Sequence, residues 1–142
     1  MTRHAFGARA HRRCPCGSGE SYAACCGPLL DGDRTAGTAE ELMRSRYTAF
    51  ATGDADHLVR TWHPRTRPDD VGLDPATRWT GLTVLRTVGG DVGDDDGVVE
   101  FVATWVESSA GRRGPGAGGE LHEVSRFVRR AGRWLYLDGE HG

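Results

Sequence analysis

Cys14, Cys16, Cys25 and Cys26 fall within thirteen residues, and their type and spacing point to metal chemistry. Four thiolates this close in the chain suit one tetrahedral ion, zinc foremost, with each sulfur roughly 2.3 Å away. Pro15 stiffens the first pair by fixing φ. Gly17, Ser18 and Gly19 let the backbone turn back, and Ser21 to Cys26 has the length of one helical turn. Four sulfurs leave no open coordination position, so the ion would be structural. Thiolates also suit iron. Disulfide and redox roles compete with the metal reading, although adjacent Cys25 and Cys26 bridge poorly and a Cys14–Cys16 ring would be strained. The first thirteen residues lack the apolar segment of a secretory leader, so a reducing cytoplasm is the expected compartment.

Cys14-Pro15-Cys16-Gly17-Ser18-Gly19, with Tyr22 and Cys25-Cys26, resembles the SEC-C motif, which occurs at the C-terminus of the bacterial preprotein translocase ATPase and in other proteins. Further stretches resemble the YchJ-like family. They are Thr38-Ala39-Glu40, the run from Leu42 to Phe50, Thr61-Trp62-His63-Pro64, His122-Glu123 through Arg126-Phe127, and Gly132-Arg133-Trp134 with Tyr136. The resemblance implies an N-terminal metal knuckle joined to a cone-shaped domain like nuclear transport factor 2. It implies fold and metal more firmly than activity. The expected organisation is a basic arm at 1–13, a SEC-C knuckle at 14–33 and the cone at 34–142.

The elements that must position these groups follow from local pattern. Gly27 to Gly32 reads as a connector. Thr38 and Glu41 have capping-box spacing, and Gly53 suits a C′ position, which predicts a helix from Thr38 to Thr52. A second helix starts after Asp54 and ends before Pro64, with Ala55, Leu58, Val59 and Trp62 as its buried stripe. Four runs rich in Val, Thr, Phe and Trp follow, Trp79–Val88, Val98–Glu107, Glu120–Arg130 and Arg133–Asp138. The turn-rich stretches 89–97 and 110–119 read as hairpin loops. Two helices followed by an antiparallel meander make an α+β fold, helices packed on a curved sheet.

The other candidates for chemistry lie in the cone. Arg46 falls on the apolar face of its helix and, if buried, needs a partner such as Glu100, Glu123 or Asp138, or a bound ligand. Tyr47, Trp62 and Trp105 are candidate pocket walls, and His63 and His122 candidate bases, with Arg46 steadying an oxyanion. His122 and Glu123 are adjacent on a strand and must face opposite ways. Phe101, Ala103 and Trp105 share one face. Asp91 with Asp94 to Asp96 lacks the alternation and terminal Glu of a calcium loop and reads as a solvated tip.

Composition narrows the partners. With 142 residues and a net charge of −2, the chain fits one compact domain plus an appendage and gives no bulk signal for nucleic acid. No stretch reaches the roughly 18 apolar residues of a membrane span. All 18 basic residues are Arg, and Lys, Asn, Ile and Gln are absent, a bias of codon usage rather than phosphate recognition. Two functions from different classes are expected. One is a zinc-binding cytoplasmic bacterial adaptor that docks a protein partner through its knuckle. The alternative is a small-molecule carrier or lyase/isomerase-type enzyme using the cone. The free face of the sheet would also allow a homodimer.

Overall fold

The computed structural model describes residues 12–107 and 117–142. Most of the basic arm and most of the predicted 110–119 loop lie outside the described residues. Chain order runs from a 3₁₀ turn at Tyr22–Ala24 through helices α1 (Cys26–Asp31), α2 (Ala39–Thr52) and α3 (Ala55–Arg60). Strands β1 (Thr77–Gly89), β2 (Asp96–Glu107), β3 (Gly118–Arg130) and β4 (Arg133–His141) follow. The strands form one antiparallel meander in the order β1-β2-β3-β4, and the helices pack on one face of it. Among the described residues no helix is long and apolar enough to cross a membrane.

Helix α2 is capped as its sequence predicts. Thr38 accepts a hydrogen bond from Glu41 N at 3.1 Å, and Gly53 ends the helix in the left-handed region. The Glu41 carboxylate reaches back one residue further, to Gly37 N at 2.7 Å, and pairs with Arg34. The N-terminus of α2 then docks on the β1–β2 turn, where Ala39 N donates to Gly90 O at 2.9 Å. A side chain at Gly90 would collide with Ala39 Cβ, so glycine sets that approach.

Two local expectations are corrected. The stretch taken as a connector forms α1, with Leu29 and Leu30 buried. Pro28 is tolerated because it lies in the first turn, where its missing N–H would have had no intrahelical acceptor. In α3 the buried pair is His57 and Leu58, whereas Val59 is exposed. The helix stops at Arg60, so Trp62 leaves it and forms a parallel bridge with Tyr136.

Sheet parity decides what enters the cone. Glu123, Ser125 and Phe127 of β3 face inward. On β4, Tyr136 pairs with Phe127 but Asp138 pairs with Arg126, so Leu137 is an extra residue. This bulge flips the alternation. Gly139 and His141 therefore share the inner face with Tyr136, and Asp138 is turned outward to pair with Arg126. Two further irregularities, at Thr80 and Leu85 of β1, help curve the sheet.

Candidate metal centre and cavity

A small hairpin builds the knuckle. Arg13 bridges Ser21, Tyr22 N donates to Arg12 O at 2.7 Å and Cys14 N to Glu20 O at 2.9 Å. The tight turn after Cys14 points Cys14 and Cys16 the same way, and the 3₁₀ turn carries Cys25 and Cys26 to them. The four Sγ atoms lie within 4.8 Å of one another. Cys16 and Cys25 are 3.6 Å apart and Cys25 and Cys26 3.9 Å. A tetrahedron with sulfur about 2.3 Å from a central ion has edges of about 3.8 Å, so the donor set fits one zinc-sized ion. All four cysteines are free of disulfides.

Protonation of the cluster is shared unevenly. Hydrogen bonds from Cys14 and Cys26 hold the Cys16 thiol far below its ordinary range. Burial pushes Cys25 up to about 11, with the charge on Cys16 adding to it. Cys26 is pushed up by its contacts with Cys14 and Cys16 and then by burial. Four thiolates at this spacing repel one another, and a central cation is what would let all four ionise together.

The knuckle is anchored to the cone by three side chains. Thr48 Oγ1 lies 3.3 Å from Cys26 Sγ and 3.8 Å from Cys14 Sγ. Arg44 donates to Cys16 O at 2.8 Å. Arg60 donates to Leu30 O at 2.8 Å and to Leu29 O at 3.4 Å, satisfying carbonyls at the end of α1.

A cavity of about 300 Å³ opens between α2 and the inner face of the sheet. Of the predicted pocket residues it brings together Arg46, Tyr47 and Trp62. It does not bring in the other three. His63 sits in the turn after α3, where its Nδ1 accepts from Arg65 N at 3.0 Å. Trp105 shares the inner parity of β2, but its indole lies across Gly119 instead of entering the cavity. His122 is on the opposite face of β3, 2.6 Å from Glu100.

Arg46 is 4 % exposed. Its guanidinium carbon lies 4.7 Å from the Trp62 ring centre and 4.6 Å from that of Tyr136, a cation–π contact on each of two nearly perpendicular rings. Burial lowers its pKa to about 10, so it stays protonated at neutral pH. The expected internal ion pair takes a looser form. Glu100 and Asp138 are on the outer face, and Glu123 shares the cavity without a direct hydrogen bond to Arg46. Instead Glu123 Oε2 accepts from Ser125 at 2.6 Å and Tyr136 at 3.0 Å, and Oε1 lies 3.3 Å from His141. Its carboxylate lies over Gly139, where any side chain would overlap it. Burial and the Glu123 charge raise the Tyr136 pKa. Tyr136 and His141 carried no local sequence signal for the pocket, because the β4 bulge sets which of its residues face inward.

An antiparallel cone with an internal cavity, braced by a four-cysteine knuckle, defines a nuclear transport factor 2-like protein with a SEC-C motif. Residues 38–139 match the family described as YchJ, middle NTF2-like domain, and residues 13–28 match the SEC-C motif. The chain belongs to this YchJ-like family. A UPF0225 protein of Streptomyces coelicolor is 52% identical over 127 residues, which cover 89% of this chain and 94% of that one. A UPF0225 protein of Deinococcus radiodurans is 47% identical over 126 residues, 88% and 86% of the two chains. The solution structure of a SEC-C motif containing protein from Rhodopseudomonas palustris superposes with a TM-score of 0.74 at 39% identity, covering 89% of this chain and 96% of that one. The crystal structure of another, from Psychrobacter arcticus, gives 0.71 at 28% identity, covering 92% and 83%.

Proposed function

We propose that this chain is a cytoplasmic bacterial adaptor whose knuckle, residues 14–33, holds one zinc ion and docks a protein partner. The convergence of four sulfurs within 4.8 Å carries this reading. Three of the four cysteines are buried, so the ion would stiffen the knuckle from inside while the rim from Gly17 to Glu20 faces solvent. A tetrahedral set of four thiolates suits zinc first, with iron the alternative that metal analysis separates. The test is metal content of the purified protein with a thiol count, beside Cys25→Ser. About one zinc per chain with four protected thiols supports the reading. Metal-free protein whose thiols stay reactive when zinc or iron is added refutes it.

A second reading rests on a separate observation, the cavity of about 300 Å³ with a buried guanidinium on its wall. It makes the cone a small-molecule binding site. Ligand-induced change in the fluorescence of Trp62 and Trp79, both on the cavity wall, tests it. A cone that accepts no small molecule would leave the adaptor reading alone.

A further inference from the structure

Arg46 is a buried cation whose hydrogen-bonding capacity is only partly used. Nη1 donates to Leu58 O at 3.0 Å and to Thr61 Oγ1 at 2.8 Å. Nε and Nη2 meet no acceptor among the described residues, and the side chain lines the cavity. Glu123, the carboxylate on the same cavity wall, favours the guanidinium through its charge but spends its hydrogen bonds on Ser125 and Tyr136 and faces His141. A guanidinium costs several kcal/mol to bury and recovers that through an anion that accepts its parallel N–H groups. Here the free edge, Nε and Nη2, is the fork that fits a carboxylate. Cation–π contacts with Trp62 and Tyr136, whose rings stand at 86° to each other, hold the group from two directions before any ligand arrives.

The rest of the cavity sets the body of the ligand. Away from the polar group of Glu123, Ser125 and His141, its walls are aromatic and aliphatic, with Met43, Phe50, Trp79 and Phe101 among them. At about 30 Å³ per non-hydrogen atom, a figure borrowed from liquid water, a cavity of this size takes about ten such atoms.

We propose that the cone binds a small monocarboxylic acid with an apolar body, its carboxylate on the free edge of Arg46. The proposal rests on the small-molecule reading of the cavity and adds the chemical class. The probes are benzoate, benzamide of the same shape without the charge, and benzylamine with the opposite charge. Each is titrated into the full metal-loaded chain and followed by amide NMR shifts and tryptophan fluorescence. Benzoate should shift resonances of the cavity wall, and benzamide should bind about tenfold or more weaker. Arg46→Lys keeps the charge but loses the fork, and should weaken benzoate by about tenfold or more. Ala103→Leu fills the cavity without altering Arg46 and should abolish binding, which keeps the test decisive if the Arg46 variant does not fold. Benzamide binding as tightly as benzoate in the cavity would overturn the carboxylate assignment while leaving the small-molecule reading standing. Benzoate binding that survives Ala103→Leu would place the acid elsewhere and overturn the proposal. Failure of all three probes at about millimolar concentration, where weak complexes of this size are still seen, would overturn both.

Discussion

Acid should remove a defined share of stability through one side chain, His57. This residue is 3 % exposed. Its Nε2 lies 2.8 Å from Ser45 Oγ, and that hydroxyl donates to Leu42 O at 2.7 Å, so the imidazole supplies the proton between them. Its Nδ1 lies 3.3 Å from Arg60 Nη2, which can only donate, so Nδ1 accepts. The neutral ring is thus satisfied at both nitrogens, and a second proton would point at a guanidinium. Burial, then the charges of Arg60 and Arg46, hold the pKa down to about 4, against the pull of Asp54. The folded pKa lies below the unfolded value of about 6.5, so the folded state binds fewer protons between them. The contribution is therefore complete above about pH 6.5 and is lost as pH falls toward 4. At about 1.4 kcal/mol per pH unit the gap amounts to about 3 kcal/mol. His57→Gln keeps a donor and an acceptor and removes the titration. Urea unfolding of both proteins across this range should show the wild-type advantage shrinking by about 3 kcal/mol on acidification. An advantage that does not change with pH, or a native His57 that titrates near 6.5 by NMR, would refute the argument.

Other perturbations probe the same framework. Gly139→Ala should push the Glu123 carboxylate off β4 and cost about 1–3 kcal/mol in urea unfolding, and wild-type stability would show that the carboxylate moves aside freely. Thr48→Val removes the hydroxyl beside Cys26 and Cys14 and should lower metal affinity roughly tenfold in chelator competition, with the fold intact. Arg60→Ala exposes the end of α1 and removes the charge facing His57. It should cost about 1–3 kcal/mol and raise the His57 pKa, both read in one NMR and unfolding series. Loading the four cysteines with zinc and then stripping it with a chelator should change the fluorescence of Trp79, which lies on the cavity wall against Tyr47, and an unchanged spectrum would mean that the two sites are independent.

Much of this architecture is written in local chemistry. Thr38, Glu41 and Gly53 mark the ends of α2 through groups only one turn away, and the four strands announce themselves by β-branched and aromatic runs. Alternation alone separates His122 from Glu123, and the structure places the first outside with Glu100 and the second inside. What escapes reading depends on distant pairing. Gly27 and Pro28 resemble a connector until Leu29 and Leu30 find a core to enter. The six residues of α3 are too few for periodicity to choose His57 over Val59. The Leu137 bulge, set by pairing with β3, decides that Asp138 faces solvent and His141 the cavity. Trp105 has the right parity, but Gly119 on the neighbouring strand gives its ring another place to lie.

Helix α2 touches both the knuckle and the cavity. Arg44 and Thr48, one turn apart, face the knuckle and touch Cys16 O and Cys26 Sγ. Met43, Arg46, Tyr47 and Phe50 face the cavity. At about 100° per residue the centres of these two faces are roughly 130° apart, so one helix forms a wall of both sites. Its rotation about its own axis is therefore set from two sides. An ion in the knuckle would fix the loop that Arg44 and Thr48 grip, and the chelation experiment reads whether the cavity wall follows. If filling the cavity shifts α2, thermodynamic reciprocity requires the knuckle to bias the cavity by the same free energy. The same contacts that let four cysteines hold the helix would let the contents of the cone reach the exposed rim at Gly17 to Glu20.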